Sequence, residues 1–249
     1  MADDRQAPEV IMFVRHGEKP GEGSKPHGVN HLGEHDAHSL SVQGWTRAGA
    51  LAGLFAHAPS KAHPHVVRPG RILATKPTEE AKSKREIHTA APTAKRLKLE
   101  IEDSHTHGNE EDLAKVVLAR PEPVLIVWHH GTMAKIVRHF PIVNLDDVPK
   151  HWPDARFDLI WVLDRQSGKI DKYPLPDIDL PRGGKFSGTN LVGGFGRQFI
   201  SCLQAARLLD LGDADAGALI GRFYKQRQTE FLLNGGKITI LGDDGAVAE

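Results

Sequence analysis

Two stretches of this chain, Val10-Ile11-Met12-Phe13-Val14-Arg15-His16-Gly17-Glu18 and Val124-Leu125-Ile126-Val127-Trp128-His129-His130-Gly131, share one plan. Each begins with a run of apolar residues that does not alternate with polar ones. That is the pattern of a short strand buried on both faces. Each run then ends in histidine and glycine. In open α/β sheets, ligands collect at the carboxyl ends of parallel strands, where loops and helix N-termini converge. If the two strands are parallel neighbours, Arg15 and His16 meet His129 and His130 at one sheet edge.

The surrounding segments fit that frame. Residues 21–39 are polar, rich in glycine and histidine, and read as a loop. From Ser41, the residues Trp45, Ala48, Leu51, Ala52 and Phe55 recur at helical spacing. A strand is predicted at 71–74, a helix over 86–98 despite Pro92, and a short helix over 110–119. The second run continues into a helix over 132–139. A third apolar run, 159–163, leads through a turn at 164–169 into a further strand to residue 173. Strands alternating with helices predict a three-layer α/β/α sandwich with a mostly parallel central sheet. Residues 174–196 are rich in Pro and Gly, and helical patterns follow over 197–211 and 214–234. One domain over 1–249 is expected, with a core of about 9–175 and a C-terminal helical extension of about 186–249.

Composition excludes several classes. The 32 Lys and Arg balance the 32 Asp and Glu, so there is no global attraction to nucleic acid or to an anionic membrane. A local basic pocket is still compatible with that balance. The single cysteine, Cys202, excludes an intrachain disulfide. The polar, acidic opening residues do not read as a secretory signal, and no apolar run is long enough to span a bilayer. A cytoplasmic location is expected.

Arg-His-Gly-Glu directly after an N-terminal strand, followed further along by a second strand–His-Gly–helix unit, resembles the histidine phosphatase (phosphoglycerate mutase-like) superfamily. Leu40-Ser41-Val42-Gln43-Gly44-Trp45-Thr46-Arg47-Ala48 looks like the family segment that opens the first helix. Arg85-Glu86-Ile87-His88-Thr89-Ala90 is similar to its Arg-x-x-x-Thr-Ala element, and Ala74-Thr75-Lys76-Pro77 resembles the turn after its second strand. The resemblance covers roughly residues 10–173. It implies a phosphatase that needs no metal or cofactor, acting on a phosphorylated small molecule or a phosphorylated protein side chain. A mutase and a non-catalytic phosphate-binding protein are the alternatives on the same framework. The resemblance makes His16 the nucleophile and Arg15, Arg85 and His130 its phosphate-binding partners.

The chemistry explains those residue types. Phosphoryl transfer needs a nucleophile, positive charge on the nonbridging oxygens and a proton for the leaving oxygen. A neutral histidine can attack phosphorus and split one displacement into two. Arginine forks can each hold two phosphate oxygens. Strand alternation admits only one of His129 and His130 to the pocket, and His130, next to Gly131, fits the family register better.

The general acid is open. Many family members place a glutamate between the second arginine and the second histidine, where this chain offers Glu102, Asp103, Glu110, Glu111 and Asp112. Glu110 and Glu111 equally suit a helix N-terminus. Glu18 and Lys19 either shape the pocket mouth or are solvated. Some family branches lack a dedicated acid and act on phosphohistidine or other good leaving groups. His27, His31, His35 and His38 would form a metal-binding face on a helix, with Glu34 and Asp36 nearby, but Gly28 and Gly33 argue against that helix and no metal is assigned. The basic cluster 82–85 is read as part of the phosphate pocket rather than as a nucleic-acid contact.

Overall fold

The computed structural model describes residues 7–20, 28–31, 35–60 and 63–174. The expected extension of 186–249, and His27 of the histidine series, lie outside the described residues. In chain order the elements are β1 (Val10–Arg15), β2 (Gly28–Val29), β3 (Leu40–Ser41), α1 (Val42–Ala56), β4 (Arg71–Ala74), α2 (Arg85–Leu97), β5 (Ile101–Glu102), α3 (Glu110–Leu118), β6 (Val124–Trp128), α4 (His130–Val137), β7 (Leu159–Asp164) and β8 (Lys169–Pro174).

The main sheet has the order β5-β4-β6-β1-β7-β8, and β2 pairs with β3 in a separate ribbon. The pairs β5–β4, β4–β6 and β6–β1 are parallel, whereas β7 runs antiparallel to both β1 and β8. The two opening runs are therefore parallel neighbours, in the register Ile11 opposite Val124 through Arg15 opposite Trp128. Side chains alternate between the two sheet faces, as the pleat requires. Ile11, Phe13, Leu73, Ile126 and Trp128 pack under α3 and α4 against Leu113, Val117, Ile136 and Phe140. Met12, Val14, Ile72, Leu125 and Val127 pack under α1 and α2 against Leu51, Phe55, Ala90 and Ala94. Burial of each such large side chain contributes about 1.5–3 kcal/mol. Continuous apolar strands are the consequence of helices on both faces, and the three-layer sandwich is observed.

The differences from the sequence reading lie at element ends and in three short strands it did not predict, β2, β3 and β5. Helix α4 begins at His130, two residues ahead of its predicted start, because the His129 side chain caps it by accepting the Gly131 N–H. Helix α2 begins at Arg85 and contains Pro92, then closes at Lys98 in a left-handed conformation, φ 58°. Ser41 ends β3 and caps α1 through its side chain, accepting from the Gly44 N–H. Part of the predicted 21–39 loop is the short strand β2.

Candidate active site

The nucleophile loop is fixed by backbone contacts before any side chain acts. The His16 N–H donates to the Trp128 carbonyl at 3.3 Å, carrying the β1–β6 pairing one residue past the strand. Beyond it the chain presses against the start of α1. A Cβ on Gly17 would lie 2.9 Å from the Gly44 carbonyl oxygen, and one on Gly44 only 2.6 Å from that of Glu18. Two glycines therefore permit this approach. The Glu18 carbonyl accepts from both the Ser41 N–H and the Ser41 hydroxyl, at 2.9 and 3.1 Å.

His16 is 2% exposed, and its Nδ1 lies 2.7 Å from the Gly17 carbonyl oxygen. A carbonyl can only accept, so Nδ1 carries the proton and Nε2 holds a lone pair. Burial pushes the His16 pKa well below its ordinary value of 6.5, and the positive neighbour Arg15 pushes the same way. The ring is neutral at physiological pH.

Arg15 is buried beside it. Its Nη1 donates to the carbonyls of Asp154 at 2.6 Å and of Pro153 and Arg156 at 3.4 Å, and its guanidinium lies 3.7 Å over the Phe157 ring. Desolvation brings its pKa down to about 10, still charged at neutral pH. The fork is partly committed to the 153–156 loop, whereas Nε is buried with no hydrogen-bond partner.

Both histidines after β6 reach the nucleophile. The ring centroids of His129 and His130 lie 5.8 and 5.5 Å from that of His16, and 4.5 Å from each other. The expectation that only one would point inward is corrected. Alternation applies along a strand, but β6 ends at Trp128 and the next two residues turn into a helix. Because His129 Nδ1 accepts the Gly131 N–H at 3.1 Å, its proton sits on Nε2. Burial and the neighbouring His130 push the His129 pKa down to about 4. His130 Nε2 lies 3.5 Å from Asp154 Oδ1, and its Nδ1 is buried without a partner. Burial also lowers the His130 pKa.

Arg85, at the start of α2, is half-buried with its pKa lowered by desolvation. Its Nε donates to the Ser39 carbonyl at 3.2 Å, its Nη2 to the Ala37 carbonyl at 2.9 Å and its Nη1 to the Ser83 hydroxyl at 3.4 Å. It is tied to the nucleophile loop through Thr89. The Thr89 hydroxyl donates to the Arg85 carbonyl at 2.7 Å and accepts the Gly17 N–H at 2.8 Å.

Of the carboxylates named as acids, Asp103 is exposed, and Glu18, Glu102, Glu110, Glu111 and Asp112 have other partners. Both oxygens of Glu18 accept from Arg47, at 2.9 and 3.0 Å from Nε. That pair fastens the nucleophile loop to α1. Glu110 is buried at the start of α3 and accepts the Gly108 N–H at 3.2 Å. Glu111 and Asp112 are exposed and pair with Lys115, and Glu102 pairs with Arg71 on the edge of the sheet. Of the described members of the histidine series, His31 and His38 lie in turns and His35 in an isolated bridge to Val29, none of them on a helix. Lys84 pairs with Asp36.

No protein-family model matches the sequence, and no curated protein matches it. Solved structures do. The mycobacterial glucosyl-3-phosphoglycerate phosphatase Rv2419c, complexed with VO3, is 15% identical with a TM-score of 0.41, covering 67% of this chain and 98% of that one. A protein of Agrobacterium tumefaciens provisionally assigned as the phosphohistidine phosphatase SixA is 15% identical with a TM-score of 0.40, covering 68% and 96%. Mycobacterial hydrolase 1 is 14% identical with a TM-score of 0.37, covering 67% and 97%.

Sequence reasoning missed four contributors to the site. The 153–157 loop supplies the carbonyls and the Phe157 ring that hold Arg15, together with Asp154 beside His130. It reaches this edge because β7 is antiparallel to β1, so the start of β7 lies where β1 ends. Thr89 stood within the quoted Arg-x-x-x-Thr-Ala stretch, but nothing local told its role. Arg47 holds Glu18 as described. Glu86 is fully buried, with Oε2 accepting from the Ser83 hydroxyl and Oε1 unpartnered; burial raises its pKa. Among the described residues, no helix is long and apolar enough to cross a membrane.

Proposed function

We propose that this protein is a metal-independent phosphatase of the histidine phosphatase superfamily. It hydrolyses a phosphomonoester or a phosphorylated protein side chain through a phosphohistidine at His16. One observation carries the reading. The buried His16 ring donates its Nδ1–H to the Gly17 carbonyl, which leaves the Nε2 lone pair as nucleophile among Arg15, His129 and His130.

In the first step His16 Nε2 attacks phosphorus as the bond to the leaving group breaks. The imidazole gains positive charge, and its Nδ1–H bond to Gly17 strengthens as it does. Arg15, Arg85 and His130, with the His129 Nε2–H beside them, supply donors for the nonbridging oxygens. In the second step water attacks the phosphohistidine, the N–P bond breaks, and inorganic phosphate leaves with His16 neutral again. With Glu18 tied to Arg47 and Glu111 paired with Lys115, the site suits leaving groups that need little protonation.

The test is hydrolysis of p-nitrophenyl phosphate from pH 5 to 8 in the presence of a chelator, comparing wild type with His16→Ala. Chelator-resistant turnover that disappears in the variant supports the covalent route. Turnover untouched by the variant removes His16 from the mechanism.

A second reading is a phosphate-binding protein without turnover. The engagement of all three Arg85 guanidinium nitrogens by protein oxygens favours it. It predicts saturable binding of phosphorylated ligands with no hydrolysis of any of them.

A further inference from the structure

We infer that His16, His129 and His130 also form a binding site for a divalent transition-metal ion of the Zn2+ type, which closes the phosphate pocket when it binds. One ring nitrogen from each residue lies within 4.8 Å of the other two, the one such group of three potential ligands found among the described residues. Zinc–nitrogen bonds of about 2.0–2.1 Å set ligand nitrogens roughly 3.4 Å apart in a tetrahedron. Rotations of the His16 side chain after β1 and of the His129 and His130 side chains after β6 would close that difference.

The partners of the His16 and His130 rings match those of metal-bound histidines, whose second nitrogen donates to a carbonyl or a carboxylate. His16 Nδ1 donates to the Gly17 carbonyl, leaving Nε2 as a lone-pair donor. His130 Nε2 sits 3.5 Å from the Asp154 carboxylate, and its Nδ1 is buried and unpartnered. His129 joins as the third ligand by releasing the Gly131 N–H, a contact of 3.1 Å. Asp154 favours a cation here, and Arg15 opposes one, though its Nη1 is already held by three carbonyls. An all-imidazole set selects Zn2+, Cu2+ or Ni2+ over Mg2+ and Ca2+. A bound ion takes the His16 lone pair, so it acts as an inhibitor rather than a cofactor.

The experiment is calorimetric titration of ZnCl2 into metal-stripped full-length protein, with MgCl2 as the control. One zinc ion is expected to bind, weakened at least about tenfold in both His16→Ala and His130→Ala. The combined His31→Ala, His35→Ala and His38→Ala variant is expected to bind as wild type does. No zinc binding, binding undiminished in His16→Ala or His130→Ala, or binding lost in the triple variant overturns the inference. Cobalt substitution of the unmutated protein guards against misfolded variants: tetrahedral d–d absorption bands are expected, and their absence overturns the site. Zinc binding without phosphatase activity would leave this site standing and sink the proposed function, and activity without zinc binding would do the reverse.

Discussion

The Thr89 hydroxyl accepts the Gly17 N–H at 2.8 Å and donates its own O–H to the Arg85 carbonyl at 2.7 Å. One buried side chain therefore joins the loop that orients His16 to the first turn of the helix that carries the second arginine. Replacing Thr89 by Val keeps the shape and strands a buried N–H, which costs about 1–3 kcal/mol. The expected result is a lowered Tm and a fall in kcat with KM little changed, whereas Thr89→Ser restores most of both. Equal kcat in wild type and Thr89→Val would show that this link does not position the nucleophile.

Gly17 offers a steric test of the same loop. A Cβ there meets the Gly44 carbonyl oxygen at 2.9 Å and the Gly44 Cα at 3.1 Å, both backbone atoms that cannot rotate away. Gly17→Ala is expected to destabilise the fold by about 1–3 kcal/mol and to reduce turnover, because the Gly17 carbonyl that holds His16 must move. Denaturant unfolding and steady-state kinetics on the same preparation measure the two effects.

Arginine at position 15 is expected to be irreplaceable by lysine. Lysine keeps a charge but loses the planar group that lies over Phe157 while donating to the carbonyls of 153–156. Arg15→Lys should lower kcat/KM by roughly 10²-fold, the scale of losing one oriented donor to developing charge. A variant within a few-fold of wild type would mean that charge alone suffices.

Glu18 separates a fastening role from an acid role. Glu18→Gln removes the charge facing the buried Arg47, and loss of one partner of a buried ion pair costs about 3–5 kcal/mol. The expected outcome is a lower Tm, with the shape of the kcat–pH profile unchanged. A profile that loses its alkaline limb in Glu18→Gln would reinstate Glu18 as the proton donor.

The pH dependence follows from the buried imidazoles. His88 and His129 are both pushed down to about 4, mainly by burial, and His16 lies well below its ordinary value for the same reason. Above pH 6.5 these rings are neutral in folded and unfolded chains alike, so they leave stability unchanged. Below it the unfolded chain takes up protons that the folded one refuses, and stability falls as pH drops from 6.5 towards 4. Denaturant midpoints at pH 7.5, 6 and 5 should decrease in that order. Because His16 stays neutral, kcat/KM corrected for substrate ionisation should hold level from pH 7.5 to 6. A loss with an apparent pKa near 6.5 would contradict the neutral buried nucleophile.

The unbroken apolar runs at 10–14 and 124–128 determined the fold class, since only a strand covered on both faces lacks a polar side. Their endings in His16 and in His129-His130 marked the reactive edge for the same local reason: the pattern stops where the strand does. What the tertiary structure alone decided concerns partners distant in the chain. The direction of β7 brings Phe157 and Asp154 to Arg15 and His130, because an antiparallel strand starts at the edge where its neighbour ends. The capped turn at His129 brings two rings inward where strand alternation allowed one. Pairings such as Glu18 with Arg47 depend on side chains meeting across separate elements, and no spacing along the chain encodes a meeting of that kind.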